Sequence, residues 1–180
     1  MSKIKRRLVV TGHTDKNDSI VASDQFITGA EIPGMPGFET VVLWGSDTTQ
    51  RFPDKGEKPP IAAYFPTREG YRFLEVYLPP HGFPQADNST HGKDAEAMQK
   101  ALPGLADTMT KGRPGMHRTK SVDMIIIMEG ACVLQLDPGE VTLKAGDTLI
   151  ESGTLHAWTN PFDEPCRFLA VVIGADNDLM

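Results

Sequence analysis

Cysteine, aromatic residues and long apolar runs are all scarce in this chain, and each scarcity narrows what it can be. Two cysteines, Cys132 and Cys166, in 180 residues cannot build a disulfide framework and show no CxxC spacing. Both are read as buried and inert, and the chain as reduced and cytoplasmic. After the basic cluster Lys3, Lys5, Arg6 and Arg7, only Leu8, Val9 and Val10 precede Thr11-Gly12. That is short of the about 7–15 apolar residues of a signal peptide and of the ~20 of a membrane span. Lysine and arginine (18) are outnumbered by aspartate and glutamate (24), giving a net charge of −6. Such a balance repels phosphate backbones and excludes nucleic acid as the expected partner. No GxGxxG joins a strand to a helix, and no Walker loop or GxSxG elbow is present, so nucleotide binding and serine hydrolysis find no support.

Glycine (17) and proline (14), by contrast, make up about a sixth of the chain, above the ~12% usual for soluble proteins. The excess disfavours a helix bundle and favours short strands joined by turns. In the first 110 residues, β-like runs at Arg7–Val10, Phe38–Trp44 and Tyr71–Leu78 alternate with breaker-rich stretches, among them Pro53 to Pro60, which reads as a surface loop. A helix is expected over Asp94–Met109, broken at Pro103-Gly104. From Gly115 onward the spacing is regular. Runs at 122–128, 131–136, 141–143, 148–151, 155–158 and 167–173 are separated by turn signals such as Asp137-Pro-Gly-Glu140. This predicts an all-β sandwich or barrel, with residues 1–110 as an extension packing on a core of 111–175 in the same domain. Two of the runs, Met124–Met128 and Phe168–Ile173, are apolar on both parities. A strand with one wet face alternates, so these are expected to be covered twice: by the barrel interior, and by the N-terminal segment and a second copy of the chain, hence a homodimer.

His117, Thr119, Ser121 and Asp123 share one parity, so a single strand can point all four inward. His156 lies on a later run, with Trp158 and Asn160 at its parity. An imidazole and a carboxylate from one strand and an imidazole from another meet the requirement of a two-histidine, one-carboxylate metal site with open positions. Ile125, Ile127, Trp158 and Phe168 would wall a pocket for a small organic ligand. Met124 and Met128, at the opposite parity, are read as packing under the covering segment. Glu151 is read as facing outward, and His13, His81 and His91 as exposed in turns. Without a metal, the same imidazoles, with pKa values near 6.5, can exchange protons with a substrate near neutral pH, Asp123 fixing a tautomer.

Over about Gly115–Gly174 the sequence resembles the small single-domain members of the cupin superfamily. The first motif is matched by His117 and by Asp123 running on to Gly130, with six residues between them and the aspartate standing where the family has glutamate. The second is matched by Gly146-Asp147, Gly153-Thr-Leu-His156 and Asn160. The resemblance implies a double-stranded β-helix (a jelly-roll-like barrel) and a divalent metal (Fe, Mn, Ni or Zn) held by His117, Asp123 and His156. The family's second histidine is Thr119 here, which would hold a water or orient the substrate. It further implies oxidative cleavage, decarboxylation or isomerisation of an organic acid, ketone or aromatic metabolite. A metal-free enzyme using histidine acid–base chemistry and a non-catalytic ligand-binding module are the alternatives.

Overall fold

The computed structural model describes residues 2–82 and 91–179, with the side chains of 91–93, His91 among them, outside the described set. Eleven strands and one α-helix follow in order: β1 Lys5–His13, β2 Ser19–Thr28, β3 Ala30–Glu31, β4 Glu39–Ser46, β5 Tyr71–Leu78, α1 His91–Ala101, β6 Ser121–Glu129, β7 Ala131–Gln135, β8 Glu140–Lys144, β9 Thr148–Glu151, β10 Ala157–Thr159 and β11 Cys166–Gly174. A 3₁₀ turn at Ala106–Thr108 follows α1 beyond the Pro103-Gly104 break. The all-β expectation holds, and the later strands lie close to the runs read from the sequence.

Two sheets enclose the core: a six-stranded one in the order β3-β4-β5-β11-β6-β9, and a three-stranded one in the order β10-β7-β8. Strands from the first 110 residues are thus integral to the larger sheet, since β5 pairs along its whole length with β11. The inward parity of β6 and β11 is buried. Ile125, Ile127, Phe168, Ala170 and Val172 are each at most 5% exposed and pack with Leu74, Leu78 and Leu134. The connection from β6 to β7 turns at Gly130, whose φ is +69°. A Cβ there would meet the Pro165 carbonyl oxygen at 2.0 Å, so only glycine fits.

β1 and β2 form a separate two-stranded ribbon. Arg6 of β1 donates through Nε and Nη2 to the two carboxylate oxygens of Glu75, both at 2.9 Å, and Glu75 is buried on the outer face of β5. The N-terminal cover therefore lies over β5. Further along the same face, Met124, Ile126, Met128, Ile150 and Ile173 stay 39–61% exposed in the single chain. Among the described residues, no helix is long and apolar enough to cross a membrane.

The loop between β4 and β5 is held by Arg72, whose side chain is fully buried. Its guanidinium donates to the carbonyl oxygens of Ser46, Ala63, Phe65 and Tyr71 and to the Asp47 carboxylate. One side chain thereby pins both ends and the middle of an otherwise irregular segment, and with it the inward position of Tyr64.

Candidate functional site

The two histidines meet because their backbones pair. His117 donates its N–H to the His156 carbonyl at 2.8 Å and His156 returns the bond at 3.0 Å, an isolated antiparallel bridge. Residues so paired project to the same face, and the ring centroids stand 4.2 Å apart. Each ring has one nitrogen fixed by its own loop: Nδ1 of His117 lies 2.9 Å from the Gly115 carbonyl, and Nδ1 of His156 lies 3.0 Å from that of Thr154. A carbonyl only accepts, so Nδ1 carries the proton on both rings and Nε2 keeps the lone pair.

Asp123 arrives from β6, beside Val172 of β11 and Glu151 of β9. The run read as one extended strand from His117 is not continuous, since β6 begins only at Ser121 after a bend at Lys120. Ser121 Oγ donates to Asp123 Oδ1 at 2.6 Å and accepts from Thr119 Oγ1 at 2.9 Å, a buried relay of three side chains. A cavity of ≈ 100 Å³ collects His117, His156, Asp123, Ile125, Trp158 and Phe168 along its wall. Trp158 and Phe168 stack at 4.8 Å, and the remaining wall is mostly apolar. Thr119 and Ile127, expected in the pocket, are not on its lining. Thr119 is spent on Ser121, and Ile127 packs into the core beyond.

Two residues outside the sequence expectation belong here. Glu151 is 2% exposed rather than outward, because it pairs with Asp123 across β9 and β6 and so shares its inward face. Its Oε1 accepts from the backbone and hydroxyl of Thr154 and lies 3.6 Å from His156 Nδ1, while Oε2 is buried with no hydrogen-bond partner. The signal was available in β9 itself, where Leu149 and Glu151 share a parity. Tyr64, on the Arg72-pinned loop, lines the cavity and bonds its hydroxyl to Thr40 Oγ1 at 2.7 Å. Burial pushes its pKa up to about 12, so it remains a phenol. Of the histidines set aside, His81 is exposed in a turn, whereas His13 ends β1 with Nδ1 3.0 Å from the Asp54 carbonyl.

Burial also separates the ionisable groups. Desolvation, then the neighbouring His156 ring, lowers His117 to about 4. Desolvation likewise lowers His156. Desolvation, reinforced by Glu151 and opposed by the Ser121 bond, raises Asp123 to about 7. Near neutrality the site therefore offers neutral imidazoles beside a carboxyl group that is half protonated. The consequences for stability have opposite signs. Asp123 favours folding below its free value of 3.8 and loses that contribution as pH rises toward 7. His117 favours folding above 6.5 and loses it as pH falls toward 4. Asp123→Asn removes only the first effect. Its urea-unfolding free energy should fall more steeply than that of the parent between pH 6.5 and 4, by up to about 1.4 kcal/mol per pH unit. Parallel profiles would contradict the placement of Asp123.

The family model described as "Cupin domain" matches residues 106–172. Residues 106–172 are a cupin domain. Beyond it, the chain is 39% identical over 66 residues to phomopsin biosynthesis cluster protein C' of Diaporthe leptostromiformis, covering 33% of this chain and 35% of that protein. It is 43% identical over 49 residues to oryzines biosynthesis cluster protein J of Aspergillus oryzae, covering 27% of each. The chain thus spans only about a third of the length of the curated relatives it matches. Among solved structures, a putative ethanolamine utilization protein Q from Salmonella typhimurium is similar with a TM-score of 0.47 at 11% identity, over 96% of this chain and 99% of that one. A predicted oxalate decarboxylase from Thermotoga maritima is similar with a TM-score of 0.45 at 19% identity, over 82% and 93%.

The cupin resemblance implies a divalent metal. Among the described residues, no group of three or more His, Cys, Asp or Glu side chains is gathered closely enough to hold a metal ion. The centre expected from His117, Asp123 and His156 is therefore not assembled, although all three reach one cavity. The imidazoles meet with free Nε2 atoms, but the short aspartate side chain is held by Ser121, and the histidine that would complete the motif is Thr119. The residues present do not fit the metal.

Proposed function

We propose that this chain is a small-molecule metabolic enzyme of the cupin type that moves protons by acid–base catalysis on a ketone, organic acid or aromatic compound. The observation that carries the proposal is the pair of imidazoles whose Nδ1 atoms are committed to carbonyls, so that their basic Nε2 atoms share an apolar cavity with Asp123. His156 Nε2 accepts a proton from a carbon next to a substrate carbonyl. Asp123, in its acid form, hydrogen-bonds the carbonyl oxygen as charge develops there. Glu151, 3.6 Å behind the ring, favours the imidazolium that results. Return of the proton at a second position completes an isomerisation. The names of the relatives support a place in secondary-metabolite biosynthesis, with a pathway intermediate as the substrate.

Deuterium exchange tests the reading directly. A panel of small ketones and 2-oxo acids is incubated in D₂O with protein purified without a tag or chelator, and incorporation at carbon is followed by mass spectrometry. Exchange above the buffer rate for at least one compound, with metal well below one ion per chain, is the expected result. Stoichiometric metal, with exchange abolished by its removal, would overturn the proposal.

The same reading includes a homodimer in the cytoplasm. Met124, Ile126, Ile150 and Ile173 form a continuous outer face on β6, β9 and β11, of the kind that marks an interaction surface. Sedimentation equilibrium should give twice the chain mass, and Met124→Glu with Ile150→Lys should return the monomer. A parent that sediments as a monomer would remove the dimer from the account.

A further inference from the structure

The barrel cavity does not end at the histidines. A second cavity, of ≈ 440 Å³, lies between α1 and the segment 106–115, and Met35, Met109 and Gly115 line both. Its walls are Met35, Ala95, Met98, Ala106 and Met109. The segment beyond Met109 is a tight reversal. Thr110 donates its N–H to the Met116 carbonyl at 2.8 Å, and Met109 bridges His117. One end of this hairpin is therefore the site histidine, and its tip carries Lys111 and Arg113 on the rim of the outer cavity. Arg113 is paired with Asp137 at 3.0 Å. Asp94, on the helix side, is the acidic group on the same rim.

We infer that the outer cavity is the binding site for the remainder of the substrate, and that the substrate is an elongated amphipathic acid. Its small reacting carbonyl end enters the barrel, its apolar body lies along the methionines, and its carboxylate rests at Lys111. The inference rests on the proposed function and extends it to a substrate class. Three observations fix the orientation. The inner cavity is the smaller, so the compact end goes in. Among the described residues the inner lining carries no lysine or arginine to meet an anion, and its one acidic side chain is Asp123. The cations are at the outer rim, where a carboxylate also stays hydrated. Methionine suits the walls because its flexible thioether adapts to an irregular apolar body.

The test uses the full chain and simple probes: hexanoate, octanoate and decanoate, the matching primary alcohols, and 2-butanone. Binding is read by calorimetry, and access to the inner cavity by the ring resonances of ¹⁵N-labelled histidines. Affinity for the acids should rise about three- to fourfold per methylene. The acids should bind more tightly than the alcohols, and Lys111→Glu should erase that difference. Ala95→Trp, at an exposed helix position facing the groove, should remove the dependence on length. 2-Butanone should shift the rings of His117 and His156 in parent and Ala95→Trp alike. Length-independent affinity, or length dependence unchanged by Ala95→Trp, with the ketone shifts retained, would overturn the outer site alone. Failure of every probe to shift the rings would overturn the reading of the barrel cavity itself.

Discussion

His156→Ala lowers deuterium exchange into substrate by about 10²- to 10⁴-fold, the range of a positioned general base, and His117→Ala, which removes the ring 4.2 Å beside it, lowers exchange to a smaller extent. The larger loss falls on His156, the ring with Glu151 at its back. Neither change removes the backbone bridge, because the two bonds joining positions 117 and 156 are main-chain, so a folded barrel is expected by circular dichroism. Glu151→Gln separates the roles. It keeps the acceptor for Thr154 but removes the negative charge, so it should slow exchange about tenfold and shift the lower limb of the pH–rate profile without changing substrate affinity. Equal loss from all three variants, with loss of structure, would point to packing rather than to chemistry.

Arg72→Met is the largest expected change in stability, about 3–5 kcal/mol. Methionine matches much of the volume but donates nothing. The carbonyls of Ser46, Ala63 and Phe65 and the carboxylate of Asp47 then lose their common partner around a position that is fully buried. Removing one member of such a network is costly because the others remain buried and unsatisfied. Urea unfolding followed by tryptophan fluorescence measures it. A loss below about 1 kcal/mol would mean that the loop is held by other contacts. Tyr64 depends on the same loop, so the variant should also weaken ligand binding in the barrel.

How much of this was legible in the sequence follows from which forces are local. The apolar, β-branched run in Val122–Met128 and the turn chemistry at Asp137-Pro-Gly-Glu140 act over a few residues, and β6 to β9 and β11 fall close to where those signals place them. β2 escaped notice because its exposed ribbon has no single apolar face: Ile20, Val21 and Phe26 are all 41–63% exposed, on both parities. In the site, parity placed His117, Asp123 and His156 on one cavity, but it says nothing about distance. The bend at Lys120 and the Ser121 bond set where on that cavity the aspartate sits. Glu151 faces inward because Asp123 is its cross-strand partner, a pairing between β6 and β9 that parity within one run does not show. The role of Arg72 could not be read at all, since its partners lie on a segment without periodicity.

His117 and His156 present basic Nε2 atoms to the cavity as neutral rings. A pH titration of ¹⁵N-histidine-labelled protein reads both tautomer and charge for each ring. The expected result is the Nδ1–H form for the pair at neutral pH, with His117 taking up a proton only near pH 4. Protonation of His117 at or above pH 6.5, or a proton on Nε2 of either ring, would contradict it.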